Sequence, residues 1–417
     1  MTVNLPKEGN SHPVRSVLSN RSYRYLWPNG LLWQLARWMW MLVSGYLVLE
    51  LSGSIIQTSL VGVAYFAPML LGGLFSGALV DSYNRKYLMV LAHMWNLSVV
   101  ALCFTLVYSQ TVESWQVIAL TFFFGMAGTL DITARRTLAY DLVGSDLVAT
   151  AISLEYLSAT SALILGPTIG GILLDVSIIG GTANSGGAYL SIIVLFLISI
   201  VFLSQVSVPQ KQREGSSPQN IFRALVDGLR VVSANRAILG LLGITIIINI
   251  SFFPYLPLIP VFAEQVLEVG PVAMGILGSS QGFGSLLGAF YLVSRNKAYR
   301  KYPYYIGGAF CSLLGLLIFS LSSTYVISAL SLVVAGIGVA GFATMQATLV
   351  LLLADENTRG RAIGMLNMAI GVLPLSMFGL GALAELLGPG VAVTVVTSIG
   401  LIFIVSWYKI AVQLRQY

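Results

Sequence analysis

Long runs without a single charge recur along the whole chain, and nothing else limits its folding so severely. Leu60 to Val80, Val117 to Leu130, Ala188 to Phe202 and Leu239 to Phe253 contain no Asp, Glu, Lys or Arg. About 20 such residues are enough for a helix to cross a bilayer. The runs are spread over 417 residues, of which 57% are hydrophobic and 9% charged, against roughly 45–50% apolar in soluble domains. A soluble domain of any size has no room between them.

Apolar stretches bounded by polar breaks predict twelve transmembrane helices, over residues 28–51, 55–80, 86–108, 114–138, 147–175, 187–206, 237–264, 271–293, 303–322, 324–353, 360–386 and 390–411. The fold class is therefore an all-α membrane protein. With the N-terminus inside, the basic residues collect on one side: Lys7, Arg15, Arg21 and Arg24 in the tail, Arg85 and Lys86 after helix 2, and Arg135 and Arg136 in a turn between helices 4 and 5. Lys211 to Arg236, Arg295, Lys297, Arg300, Lys301, Arg359, Arg361, Lys409 and Arg415 follow the same side. The opposite breaks carry only acids, Glu113, Asp175, Glu264, Glu268 and Glu385. This is the positive-inside pattern, with Arg37 as its exception, and it puts both termini in the cytoplasm. The formal charge of +6 thus reports topology and anionic lipid at one membrane face, not a nucleic-acid partner.

The first twenty-odd residues are polar and basic with no small-residue cleavage site, so helix 1 itself is expected to direct insertion. Cys103 and Cys311 both sit in apolar segments and read as packing thiols, not a disulfide.

Residues 207–236, the longest polar stretch inside the chain, divide it into an N-terminal bundle at 1–206 and a C-terminal bundle at 237–417, six helices each. A shift of 211 residues lays Gly73 on Gly284, Gly77-Ala78 on Gly288-Ala289, Lys86 on Lys297, Thr137-Leu138 on Thr348-Leu349 and Ala151-Ile152 on Ala362-Ile363. One shift serving distant places points to a duplicated six-helix unit, the usual frame of secondary transporters with a site at the bilayer midplane.

Polar groups inside the helices are the candidates for that site. Arg37 lies in helix 1 beside Gln34, Trp38 and Trp40, and an arginine at membrane depth is a functional candidate by default unless it snorkels to the interface. Asp131, the only acid between Trp115 and Arg135, is either a proton or cation site or the partner of Arg37 or Arg85. Glu155 carries the same alternatives. His93 titrates near neutrality when unperturbed and reads also as a hydrogen-bonded packing residue near the inner interface. Asn249, Gln281, Gln346 and Asn367 interrupt helices 7, 8, 10 and 11, lining a cavity or bonding between helices. Pro254, Pro257 and Pro260 are expected to break the outer part of helix 7. Trp38, Tyr65, Phe66, Phe252 and Tyr255 offer aromatic surface to a ring-bearing substrate. Two histidines, no metal-ligand cluster and no phosphate-binding loop argue against an enzyme, a cofactor or a nucleotide-driven pump.

Three motifs carry a resemblance. Gly77, Leu79, Asp81, Arg85 and Lys86 at the end of helix 2 are similar to the loop 2–3 signature of the major facilitator superfamily. Gly166, Pro167, Gly170 and Gly171 resemble the Gly-Pro-x-x-Gly-Gly core found in its exporters and antiporters, and Glu356 to Gly364 resembles the Arg-Gly-Arg turn entering helix 11. LARWMW and LVLELSGS in helix 1 and DITARRTL ending helix 4 look most like bacterial drug-efflux and enterobactin-exporter members. The chain departs from the family at Ser82 and Asn84, lacks the helix 4 arginine shortly before Gly125, and has Leu292 where the second half would repeat Asp81.

The resemblance implies two pseudo-symmetric six-helix bundles in a bacterial inner membrane, monomeric, exporting a small organic or amphipathic molecule by alternating access on a proton or other ion gradient. An uptake symporter and a transport-inactive receptor of the same fold are the alternatives. It also implies a latch: the Asp81 carboxylate capping the N-terminus of helix 11, and Arg85 paired with Asp141 first or Asp131 second, closed while the cavity faces outward.

Overall fold

A computed structural model describes residues 13–176, 179–207, 235–294, 301–354 and 359–411, and among them it contains helices and no strand. The central segment at 207–236 lies almost wholly outside the described residues. A short helix α1 (Pro13–Ser19) precedes α2 (Arg21–Ser52), α3 (Ile55–Ser82), α4 (Arg85–Tyr108), α5 (Ser114–Val176) and α6 (Gly186–Ser204). After the central segment come α7 (Arg236–Ser251), α8 (Pro271–Ser294), α9 (Lys301–Leu321), α10 (Tyr325–Leu353), α11 (Arg359–Ile370), α12 (Leu373–Leu387) and α13 (Pro389–Ala411).

Helix α5 has 63 residues, about three times the length a bilayer core accommodates, so it must make two crossings. The break is Gly144, at φ 76°, a left-handed backbone conformation that a glycine adopts without steric cost. The expected helices 4 and 5 are the two arms of α5. Arg135, expected in the turn between them, instead lies buried in the first arm.

Helix 1 also starts earlier than its apolar run. Asn20 caps α2 by accepting from the Tyr23 backbone N–H at 3.1 Å, and its amide donates to the Leu142 carbonyl at 2.7 Å. Val17, Tyr23 and Leu26 then pack against Leu138, Ala151 and Leu154 at the α5 bend. The polar tail is therefore anchored to the bend by buried side chains.

After α7, the prolines act as expected. The chain passes through a 3₁₀ segment (Phe253–Leu258), one α-turn and a π-turn (Phe262–Val266) before Pro271 opens α8. Phe252, Tyr255, Phe262 and Phe319 fill the break with edge-on and tilted rings. Helices α11 and α12 form one crossing interrupted at 371–372. The 211-residue repeat reappears in the element bounds: Ser114 and Tyr325 open α5 and α10, while Val176 and Leu387 close α5 and α12.

The two halves touch from mid-helix to the end that carries Gly53. There, Gly45 faces Pro260, Gly62 faces Pro257 and Met377, and Gly371 faces Leu70. Glu385 accepts from the Ile56 N–H at 2.9 Å and from Ser54, and so caps α3 from the other half. A close backbone approach joins Gly171 of α5 to Gly275 of α8, where a side chain on either glycine would stand about 3 Å from the other's Cα. Thr168 and Ser279 bond across the same contact at 2.7 Å. Glycine is required here because the two backbones fill the space themselves.

Gly171→Val is expected to wedge this contact open. Overpacking of this kind costs about 1–3 kcal/mol, enough to shift a two-state equilibrium roughly 5- to 150-fold. Maleimide labelling of single cysteines near Ser54, in a background without Cys103 and Cys311, should speed up accordingly; unchanged labelling would show that the glycine contact does not hold this end shut.

Candidate functional site

The first half contains a buried ionic network built by four helices. On α5, Asp131 and Arg135 are one turn apart on one face, the spacing that lets side chains meet. Arg135 donates through Nε to Asp131 Oδ2 and through Nη2 to Oδ1, both at 3.0 Å, in a two-pronged clasp. Its Nη1 reaches the Leu26 carbonyl of α2 at 3.4 Å, passing Gly30, where any side chain would collide with it. Trp33 lies beside the guanidinium, at 5.9 Å.

His93 of α4 completes the network. A carboxylate held by Arg135 only accepts, so His93 Nε2 donates to Asp131 Oδ1 at 2.9 Å, which leaves Nδ1 to accept from Ser199 Oγ of α6 at 3.2 Å. Asn29 of α2 donates to Ser199 Oγ and to its carbonyl, each at 2.8 Å. The Asn29 carbonyl lies 3.3 Å from the same hydroxyl. If Nδ1 gains a proton, the Ser199 hydroxyl turns from His93 to Asn29 and every donor keeps an acceptor. The network can thus carry His93 neutral or charged without moving a heavy atom. Asp131, His93, Asn29 and Ser199 are all fully buried.

Asp131 is therefore the partner of Arg135 and His93, not of Arg37 or Arg85. Arg37 lies over the Trp38 and Tyr65 rings at 4.9 and 5.0 Å and donates to Gln34 at 3.2 Å. Arg85, at the start of α4, forms an ion pair with Asp141 of α5, both nearly buried. Lys86 donates to the Ser204 carbonyl at 2.8 Å. The surroundings of Gly77 and the side chain of Asp81 lie outside the described residues, as do the side chains of 359–361. Glu155 is half-buried on the second arm of α5, with Arg135 and Arg136 as its electrostatic neighbours.

The glycine motif divides its contacts. Gly166 meets Trp38 and Met39 of α2, Gly170 meets Val43, and Pro167 and Gly171 meet Gly275 and Gly278 of α8. One short segment therefore joins helix 1 of its own half and the first helix after the proline break of the other.

The second half answers the ionic network with neutral bonds. Gln346 donates to Thr245 Oγ1 at 3.0 Å, Thr245 and Tyr305 hydroxyls meet at 3.1 Å, and Tyr305 donates to the Leu241 carbonyl at 2.7 Å. Tyr255 donates to Gln281 at 2.7 Å, and the Asn249 amide bonds the Thr245 carbonyl at 2.9 Å. Gln346 and Gln281 tie separate segments together and Asn249 bonds within its own helix, while Asn367 alone of the four is exposed, next to the α11–α12 interruption. Among the described residues no group of three or more His, Cys, Asp or Glu is placed to hold a metal ion.

Sequence reading missed Arg135, Asn29 and Ser199. The signal for Arg135 was present in its four-residue spacing from Asp131, but a neighbouring arginine made the pair look like a loop. Asn29 and Ser199 are 170 residues apart and meet only through the packing of α2 on α6.

Among the described residues, helices enough for twelve crossings in two halves, with buried polar networks and a glycine-lined contact between the halves, fit a membrane transporter of the major facilitator type, not an enzyme. The chain belongs to the transmembrane secretion effector family, whose family model matches residues 14–417. It is similar to the multidrug efflux pump Tap of Mycobacterium tuberculosis (strain ATCC 25618 / H37Rv), 26% identical over 365 residues that span 82% of each protein. It also resembles an uncharacterized MFS-type transporter, YfiS of Bacillus subtilis (strain 168), 27% identical over 166 residues, or 39% of each chain. Among solved structures, the nucleoside transporter NupG superposes with a TM-score of 0.69 at 13% identity, covering 93% of this chain and 98% of that one, which shows the shared fold.

Leaving one member of a buried ion pair without its partner costs about 3–5 kcal/mol. Arg135→Leu or Asp131→Leu alone should accordingly lower the thermal unfolding midpoint of the detergent-solubilised protein clearly more than the neutral pair Asp131→Asn with Arg135→Gln does. A double variant as unstable as the sum of both singles would show the two residues acting independently.

Proposed function

We infer that the chain is a secondary active exporter that moves a small organic or amphipathic molecule across a cytoplasmic membrane, driven by a proton gradient. The observation that carries this reading is the Gly166–Gly171 segment, which forms a backbone-to-backbone joint between the halves, at the position of the motif associated with export. Similarity to Tap over most of both chains supports the same direction. With the basic face inside, the contacts at the Gly53 end close the external side, and the substrate path opens to the cytoplasm. Rocking of the two bundles about the midplane would then present the path to the outside.

The network of Asp131, His93 and Arg135 is the proposed proton site. Protonation of His93 strengthens its hold on Asp131 and weakens the claim of Arg135 on the same carboxylate. Arg135 also contacts α2 through Leu26, so the change reaches the helix that packs against Gly166. In everted vesicles with an imposed pH gradient, a panel of fluorescent amphipathic compounds should accumulate inside, and Asp131→Asn should abolish the gradient-driven component while leaving substrate exchange measurable. Accumulation only in right-side-out vesicles would make the protein an uptake symporter, and full pH-driven transport by Asp131→Asn would eliminate the proton site.

At the opposite end, Asp81 is proposed as the latch that closes the cytoplasmic side in the outward-facing state, and the Arg85–Asp141 pair, already formed here between α4 and α5 of one half, as the brace that holds the turn between α3 and α4 in place for it. Arg85→Ala should raise cytoplasmic cysteine labelling several-fold, and the swap Arg85→Asp with Asp141→Arg should return it part of the way. Equal labelling in the single and swapped variants would leave the pair a local staple between α4 and α5.

A further inference from the structure

Two buried donors on one face of α2 have no acceptor. Arg37 Nε and Trp33 Nε1 are both sealed from solvent and both lack a hydrogen-bond partner. The fold satisfies the neighbouring tryptophans: Trp27 donates to the Leu154 carbonyl and Trp40 to Thr121, each at 3.1 Å. Burying a donor without an acceptor costs about 1–3 kcal/mol, and more when the group is charged, so two such groups one turn apart require an explanation.

Their charge balance sharpens the point. Among the described residues no carboxylate pairs with Arg37. Asp131, the fully buried acid of the same bundle, has both oxygens committed to Arg135 and His93. Arg37 therefore brings an uncompensated positive charge to membrane depth. Around it the surface is aromatic: Trp38 and Tyr65 flank the guanidinium, and the Tyr65 hydroxyl is within its hydrogen-bonding reach. The Tyr65 hydroxyl and the Trp33 ring converge on Gly128, where a side chain would lie 3.3 Å from the first and 3.4 Å from the second, so the glycine lets both groups come close together. Helix α2 carries this cluster two turns from Gly45, which faces the second half.

We propose that Arg37, Trp33 and Tyr65 form a subsite for an acidic group, a carboxylate or sulfonate, borne on an aromatic or apolar body. The anion takes the two orphaned N–H groups and neutralises Arg37, while the rings of Trp38 and Tyr65 hold the body. This names the substrate class and rests on the transporter reading above, although the binding it describes needs neither a gradient nor a direction. Cationic amphipaths are disfavoured at the subsite because Arg37 repels them.

The test uses the full chain in lipid nanodiscs and three probes with one fluorophore: dansylglycine, its uncharged amide, and the amine dansylcadaverine. Dansylglycine should bind at least tenfold more tightly than the amide, with dansylcadaverine weakest. Arg37→Gln should bring dansylglycine down to the affinity of the amide and leave the amide within about twofold; Arg37→Lys should keep part of the preference. Trp33→Phe, which keeps the ring and removes the N–H, should weaken dansylglycine alone by several-fold, and serves if Arg37→Gln does not fold. Equal affinity for carboxylate and amide, or a carboxylate preference that survives Arg37→Gln, overturns the proposal. Selective anion binding without outward transport retires the exporter reading and keeps the subsite. Outward transport of cations unaffected by Arg37→Gln does the reverse.

Discussion

A carboxylate and a guanidinium removed from water at the centre of a helical bundle set the terms for everything around them. Asp131 and Arg135 are tolerable there only because each is nearly saturated with hydrogen bonds, and those bonds reach α2, α4 and, through His93, α6. The bundle cannot shift one of these helices without disturbing the charge balance of the pair. In the second half, Thr245, Tyr305 and Gln346 link α7, α9 and α10 with neutral groups, which can slide or exchange partners at far lower cost. The pseudo-symmetric halves are therefore unequal: one is stiffened by a titratable ionic centre, the other is held by hydroxyl and amide bonds.

That inequality bears on how the halves meet. One intimate joint, Gly171 on Gly275, is backbone against backbone and holds no charge. Directly beside it, Gly166 packs on Trp38, the residue next to Arg37. A change in the placement of α2 is thus felt at the joint without any intervening flexible side chain, which gives the ionic centre and the interface a common mechanical element.

Most of the architecture is written in the primary structure because the bilayer excludes charge: helix ends coincide with the first polar residues, as at Ser52, Ser54 and Tyr108. Legibility fails where polarity and burial part company. The stretch from Arg21 to Trp27 looks like tail, yet Tyr23 and Leu26 are buried under α5. Arg135 looks like the start of a loop, yet its charge is consumed one turn back by Asp131. Glutamines and asparagines gave no hint of whether they face a cavity or a helix, since both settings demand the same chemistry; the structure gives Gln281 and Gln346 to helices. The contact of Asn29 with Ser199 depends on the register of two helices at opposite ends of one bundle, and no local pattern encodes that.

Glu385 spans the rim between the halves by capping α3, and this determines the order in which the joint comes apart. When the carboxylate and the Ile56 N–H separate, each finds water at once, because both sit at the exposed edge. The glycine contact between α5 and α8 has no such substitute; parting it leaves bare backbone to be covered by something else. The molecule should therefore unzip from the rim inward, the cheap hydrated contact first and the dry seam last, so that the seam, not the rim, sets the height of the barrier.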